Sequence, residues 1–387
     1  MARRKPAADE SAADFAPELP PKHPGAKIFA DIAASTESFR PARETLKRVR
    51  AVPTIFPDVD RKTRVGGWPI ERVSLVHGPS AAGKTLLCHG VGLSFLQRGH
   101  MYNFVDAELT TPITWLEQLF GPHADSSAFL ASRPTTYEQA VDDIRKVAEG
   151  LAEAREKERV PPHTSALFVV DSIRKLVPKD LMKRIEKMGA TGDKGSVDGY
   201  GGGAARLKAN LNASWLDELG PLMYRTGCAI ILVGRESDDA TASARDRQFG
   251  SDWKLTGGKA LFFDSSLVVR VSLAGKVKDG AGEDAKIVGE RHLVEIHKTK
   301  VSEKQDRVEK AYFHTTARGF DRARDILRIA DELGVIKKSG TWLTFDGHRW
   351  QGEARFAEKA DEEVLDAIEA SCRAKFDDEA KQLADHV

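Results

Sequence analysis

The stretch from Val73 to Thr85 constrains this chain more than any other. An apolar run, Val73-Ser74-Leu75-Val76, leads through His77 into Gly78-Pro79-Ser80-Ala81-Ala82-Gly83-Lys84-Thr85. That octet fits the pattern G-x-x-x-x-G-K-[ST], a phosphate-binding loop between a strand and a helix. Glycines at both ends let the backbone curl until successive N–H groups face inward, and the helix starting near Lys84 aims the positive end of its dipole at the same point. The cradle suits a nucleoside triphosphate, with Lys84 reaching the β- and γ-phosphates and the Thr85 hydroxyl holding Mg²⁺. The bland alternative is a chance glycine-rich turn. The strand in front and the apolar residues behind (Leu86, Leu87, Val91, Leu93) weigh against it.

Two further apolar runs end in carboxylates, as the ligand edge of a wound parallel sheet requires. Tyr102-Asn103-Phe104-Val105 runs into Asp106-Ala107-Glu108, and Ala166-Leu167-Phe168-Val169-Val170 runs into Asp171-Ser172. Asp171 has the place of a carboxylate that holds Mg²⁺ through water. More strands are expected at Ala229–Val233, Ser266–Val271 and Leu293–Ile296. Between them Leu207, Leu211, Trp215, Leu219 and Met223 recur every four residues, one apolar helix stripe. Strand and helix in alternation predict an α/β fold with a mostly parallel sheet.

With 387 residues the chain has room for one large core and smaller appendages. Lys and Arg total 59 against 58 Asp and Glu, so nucleic-acid binding has to come from local patches. Three widely separated cysteines predict neither a disulfide nor a zinc site. No apolar run approaches the ~20 residues that cross a bilayer. A soluble, cytoplasmic protein is the expectation.

In chain order, residues 1–25 read as a disordered tail and 26–50 as an amphipathic N-terminal helix with Ile28, Phe29 and Ile32 on one face. Docking on its own domain and docking on a neighbouring subunit stand as equal readings of that face. Residues 51–319 make the core, interrupted by two loops, 179–203 and 236–258, where cations, aromatics and glycines mix. Such composition suits single-stranded nucleic acid, cations for phosphates and rings for bases, as much as it suits two solvated loops. Residues 320–387 read as a small α+β module with a turn at Asp346-Gly347, in which Lys337, Lys338, His348 and Arg349 make either a modest basic face or simply a solvated one.

The ordered set resembles the bacterial and phage RecA-family recombinases. Its carriers are the loop 78–85, Phe104-Val105-Asp106-Ala107-Glu108, Val169-Val170-Asp171-Ser172, Phe249-Gly250, Thr256-Gly257-Gly258-Lys259, His297-Lys298-Thr299-Lys300 and Gly334-Val335-Ile336. The resemblance implies a RecA-like ATPase core, ATP or dATP with Mg²⁺, and self-assembly into a helical filament, with 26–50 as the N-terminal oligomerisation helix that docks on a neighbouring subunit. It implies binding of single-stranded and duplex DNA, and loading by mediator or single-strand-binding proteins. Glu108 is then the carboxylate that activates the attacking water, and Lys298 and Lys300 reach a neighbour's γ-phosphate. Phe249, Arg206, Lys254, Gly257 and Gly258 become DNA-loop residues, and Lys337 and Lys338 gather duplex.

Departures are also visible. Gly234-Arg235 stands where relatives carry Asn-Gln, the Gln sensing the γ-phosphate. Arg235 is either a direct phosphate contact or a partner of Glu236 or Asp238. Phe262 takes a place that is often lysine, the second loop is longer, and the base-stacking region after Glu108 is one residue shorter than usual, so that Pro112 matches and Trp115 is the stacking ring only in a shifted alignment. A mediator paralogue without strand exchange and a ring helicase are the competing functions.

Overall fold

The computed structural model describes residues 26–36, 42, 46, 48–183, 201–238, 253–256, 259–279, 285–302 and 308–384. They divide into two units, Met1–Arg48 and Val49–Val387. In the first, helix α1 (Ala26–Ala34) stops well short of residue 50 and leaves Ile28, Phe29 and Ile32 exposed. The predicted tail 1–25 lies outside the described residues.

The second unit opens with a short antiparallel pair, β1 (Ala51–Val52) and β2 (Trp68–Pro69), around α2 (Pro57–Thr63). The central strands follow: β3 (Val73–His77), β4 (Met101–Asp106), β5 (Phe129–Ser132), β6 (Ala166–Asp171) and β7 (Ala229–Val233). A small hairpin, β8 (Glu236–Asp238) with β9 (Trp253–Leu255), precedes β10 (Leu267–Asp279), β11 (Lys286–Thr299), β12 (Glu309–Thr316) and β13 (Gly319–Phe320). The main sheet has nine strands in the order β13-β12-β11-β10-β3-β7-β6-β4-β5. From β10 to β5 every pairing is parallel, and from β10 to β13 every pairing is antiparallel.

The central strands read as continuous apolar runs because both sheet faces are covered. Along β3, Leu75 enters one core and Val76 the other. Helix α3 (Lys84–Gln97) packs Leu87, Cys88, Val91 and Phe95 over the face that Val76 enters, together with residues of α4 (Ile113–Phe120). On the other face lie α5 (Tyr137–Glu156) and α6 (Gly201–Thr226), whose predicted stripe delivers Trp215, Leu219 and Met223 to the core. A short helix, α7 (Lys259–Asp264), then leads into β10.

The last module has its own core of Ile326, Ile329, Ile336, Leu343, Trp350, Phe356 and Ile368. It comprises α8 (Arg322–Glu332), the three-stranded sheet β14 (Lys337–Ser339), β15 (Trp342–Phe345) and β16 (His348–Gln351), then α9 (Gly352–Lys359) and α10 (Glu362–Ala384). Asp346 and Gly347 both have positive φ, 42° and 81°, the geometry of a two-residue hairpin turn whose twist matches the strands. Ion pairs tie the module to α2: Arg373 to Asp60 at 3.0 Å, Arg61 to Glu332 at 2.6 Å, and Arg328 to Asp58. Among the described residues no helix is long and apolar enough to cross a membrane.

Candidate nucleotide site and its neighbours

At the end of β3 the chain turns so closely against β10 that a Cβ on Gly78 would sit 2.1 Å from the Val271 carbonyl oxygen. Positive φ at Ala81 (57°) and Gly83 (95°) completes the curl, and Gly83 is the N-terminal cap residue of α3. Lys84 folds back over the loop, its Nζ donating to the Pro79 carbonyl at 2.6 Å. Burial pulls the Lys84 ammonium below its ordinary value, the Asp171 carboxylate opposes that pull, and the Arg235 guanidinium adds to it.

The carboxylates of the two neighbouring strands converge beside this loop. Asp106 and Asp171 are register partners at the ends of β4 and β6. Asp106 is buried and held in place: Arg133 pairs with it at 3.0 Å, and the Thr110 and Thr111 amides donate to it at 3.3 and 3.4 Å. It braces the turn that carries Glu108. Asp171 accepts a 2.5 Å hydrogen bond from the Thr85 hydroxyl. Burial pushes its carboxyl up to about 6; the Thr85 bond and Lys84 resist the rise, and the Glu108 and Asp106 charges reinforce it. Two hard oxygen donors side by side, on a carboxylate short of compensating charge, fit Mg²⁺.

Glu108 lies next to them, its amide bonded to the Asp171 carbonyl at 3.1 Å. Its Oε1 accepts from the Ser172 hydroxyl at 2.7 Å, and Arg235 Nη2 donates to both of its oxygens at 2.8 and 2.7 Å. Burial raises this carboxyl, but Ser172 and Arg235 outweigh it and hold the group below its ordinary value. Arg235 thus pairs with Glu108 and not with Glu236, one of the two acids the sequence suggested; the side chain of the other, Asp238, lies outside the described residues. Glu236 instead faces the opposite way, 2.8 Å from His77 Nδ1 and 2.9 Å from Arg270 Nε. Side chains alternate along extended backbone, so adjacent residues 235 and 236 serve different clusters.

Glu236 opens the stem of the predicted second loop. The stem strands β8 and β9 pair Glu236 with Leu255 and Asp238 with Trp253, and the Trp253 ring stacks obliquely 4.8 Å from His77. Lys254 is exposed on β9. Phe249, Gly257 and Gly258 lie outside the described residues, as does the Arg206 side chain. The predicted first loop, 179–203, is helical over 179–183 and again from Gly201, where α6 begins; 184–200 lie outside the described residues. Beside the phosphate loop, Leu86, Trp115, Gln118, Glu290, Thr316 and Ala317 help line a groove of about 380 Å³. The Trp115 ring meets His89 edge to face at 5.3 Å.

Comparison with known proteins agrees with this arrangement. The family model described as the RecA N-terminal domain matches residues 39–317. The chain is 30% identical to Protein RecA of Geobacter sulfurreducens over 308 residues, covering 80% of this chain and 79% of that protein. It is 30% identical to Protein RecA of Bdellovibrio bacteriovorus, covering 82% and 74%. Protein RecA 2 of Myxococcus xanthus is 29% identical, with 79% and 74% covered. The chain belongs to the RecA family.

The lysines that the RecA resemblance singled out sit away from the phosphate loop. Lys298 Nζ donates to the Phe262 and Phe263 carbonyls at 2.8 and 2.5 Å, and Lys300 Nζ donates to Phe263 at 2.8 Å. Partial burial and the neighbouring Lys300 bring the Lys298 ammonium down to about 8. In the small module Lys337 and Lys338 are exposed on β14, Lys338 pairing with Asp331 at 3.0 Å. Sequence reasoning gave no role to Ser172, Arg133 or the His77–Glu236–Arg270 cluster. Ser172 was within reach, being next to Asp171; the others become visible only when residues 27 and 159 positions apart meet.

Proposed function

We propose that this RecA-family chain is a DNA-dependent ATPase that assembles head to tail on single-stranded DNA and promotes homologous pairing and strand exchange. The observation that carries the reading is the convergence of Lys84, Thr85, Asp171 and Glu108 at one strand edge, with the stem of the second loop anchored beside them. Lys84 and the loop amides bind the triphosphate. Thr85 and, through water, Asp171 would hold Mg²⁺, which when bound would neutralise charge on the triphosphate. Glu108 takes a proton from water as the water oxygen attacks the γ-phosphorus and the bond to the bridging oxygen breaks, releasing ADP. Trp115 offers its ring to the base across the groove beside Leu86.

Lys298 and Lys300 act in this reading on the neighbouring protomer's γ-phosphate, and the register supports it. Lys300 lies level with Ser266 and Val73, whereas the loop begins at Gly78, level with Val271. At ~3.3 Å per residue the two lysines stand about 10 to 17 Å down the strands from their own loop. Duplex is gathered by the face of the small module that carries Lys337 and Lys338. Purified protein is expected to hydrolyse ATP many-fold faster with single-stranded DNA, to pair homologous duplex, and to lose ATP-dependent DNA binding on Lys84→Ala. Hydrolysis indifferent to DNA overturns the proposal. The grip of Arg235 on Glu108 favours one second reading, a mediator paralogue; stimulated hydrolysis without strand exchange in the same assays selects it.

A further inference from the structure

Arg235 leaves β7 at the level where β3 becomes the phosphate loop, for the amide of Gly234 before it donates to the Val76 carbonyl at 2.8 Å. Its backbone is pinned, the carbonyl accepting from the Thr256 amide at 3.0 Å and the Thr256 hydroxyl at 2.6 Å. The next residue is pinned as well, since Glu236 sits between His77 and Arg270. The guanidinium is different. Its side chain is 37% exposed, and one nitrogen, Nη2, makes both bonds to Glu108. It can therefore leave Glu108 by side-chain rotation alone, without disturbing the stem.

A carboxylate that accepts from a guanidinium on both oxygens and from Ser172 on one has little left with which to take a proton from water. A guanidinium, in turn, binds phosphate oxygens at least as well as a carboxylate. The terminal phosphate of a triphosphate held by Lys84 arrives within the electrostatic reach of Arg235, which already depresses the Lys84 ammonium.

We propose that Arg235 is a positioning residue for Glu108: it clasps the carboxylate until a bound triphosphate offers its terminal phosphate, then transfers to that phosphate and frees Glu108 for the attacking water. This rests on the reading of Glu108 as the water-activating base. A diphosphate has no such oxygen to offer and leaves the clasp closed. The chain thus senses the terminal phosphate by exchanging one ion pair for another, and the exchange is local to the site that hydrolyses it.

The exchange has a sign that a purely structural pair lacks. Because Glu108 competes with the phosphate for Arg235, removing the carboxylate strengthens triphosphate binding. The experiment is a four-protein cycle of wild type, Glu108→Gln, Arg235→Gln and the double variant, with dissociation constants measured for ADP and for a non-hydrolysable ATP analogue with Mg²⁺. Glu108→Gln is expected to bind the analogue about tenfold more tightly than wild type, the size of one charge-assisted hydrogen bond released for the ligand. The gain is expected to vanish in the Arg235→Gln background, while ADP binding stays within about twofold throughout and reports that each variant is folded. Arg235→Lys, which keeps the charge, should restore part of the gain. No gain in Glu108→Gln, or the same gain with and without Arg235, overturns the proposal. The cycle needs no DNA, so DNA-indifferent hydrolysis by wild type would sink the proposed function and leave this result standing or falling by itself.

Discussion

If Lys298 and Lys300 complete a neighbour's site, the loss of the lysines in one protomer and the loss of the phosphate loop in another should be mutually correctable. From their own loop they stand about 10 to 17 Å away along the strands. A unit charge about 15 Å distant in water contributes only about 0.3 kcal/mol, less than twofold in rate, and salt reduces that further. A cation placed directly against the transferred phosphoryl group contributes about 10³ to 10⁵. Lys298→Ala/Lys300→Ala should therefore lose about 10³-fold of DNA-stimulated hydrolysis while binding ADP as wild type does. Lys84→Ala is inactive for a different reason, its own loop being unable to hold the triphosphate. In a head-to-tail filament assembled from equal amounts of the two, half the loops are competent. Half of those meet intact lysines, so about one quarter of wild-type turnover should return. The assay is steady-state phosphate release on a long single strand, with incorporation of both variants into the mixed filament checked separately. A double-alanine variant that hydrolyses normally, or a mixed filament that contains both proteins and shows no recovery, refutes the reasoning.

The nucleotide loop, the groove beside it and the buried His89 give three further expectations. Gly78→Ala should abolish ATP binding, read by calorimetry, because its Cβ would meet the Val271 carbonyl at 2.1 Å in a backbone conformation side chains avoid. Trp115→Ala should weaken nucleotide binding by about 1 to 3 kcal/mol, as loss of an aromatic platform does, and should leave the thermal midpoint much less affected than the affinity. Burial of His89, on α3 and packed against Phe104, Trp115 and Phe120, lowers its imidazole to about 3 from 6.5. A group neutral in the fold and protonated in the unfolded chain gives stability that is complete above pH 6.5 and lost as pH falls toward 3, about 5 kcal/mol in all. His89→Leu should flatten that acid limb in urea unfolding curves taken from pH 7 to 4; an unchanged slope refutes the assignment.

The sequence by itself determined the strand, loop and helix around Gly78–Thr85, the buried strands ending at Asp106 and Asp171, the α6 stripe and the Asp346-Gly347 turn. Each is written in neighbouring residues: a spacing that curls backbone, a run of apolar side chains with both faces covered, a repeat of four, a pair that tolerates positive φ. The tertiary structure decided the rest. Glycines 201–203 look like a loop but start a helix, and the helix predicted over 26–50 ends at Ala34. Asp106 and Glu108, two residues apart, look equivalent until Arg133 claims one as a brace and Arg235 claims the other. Ion pairs between distant segments have no periodicity and no local signature, unlike the pairs three or four residues apart on a helix. Their partners are chosen by which strands lie side by side, so the choice of Glu108 over the adjacent Glu236 by an arginine 127 residues away exists only once β7, β6 and β4 have been laid next to one another.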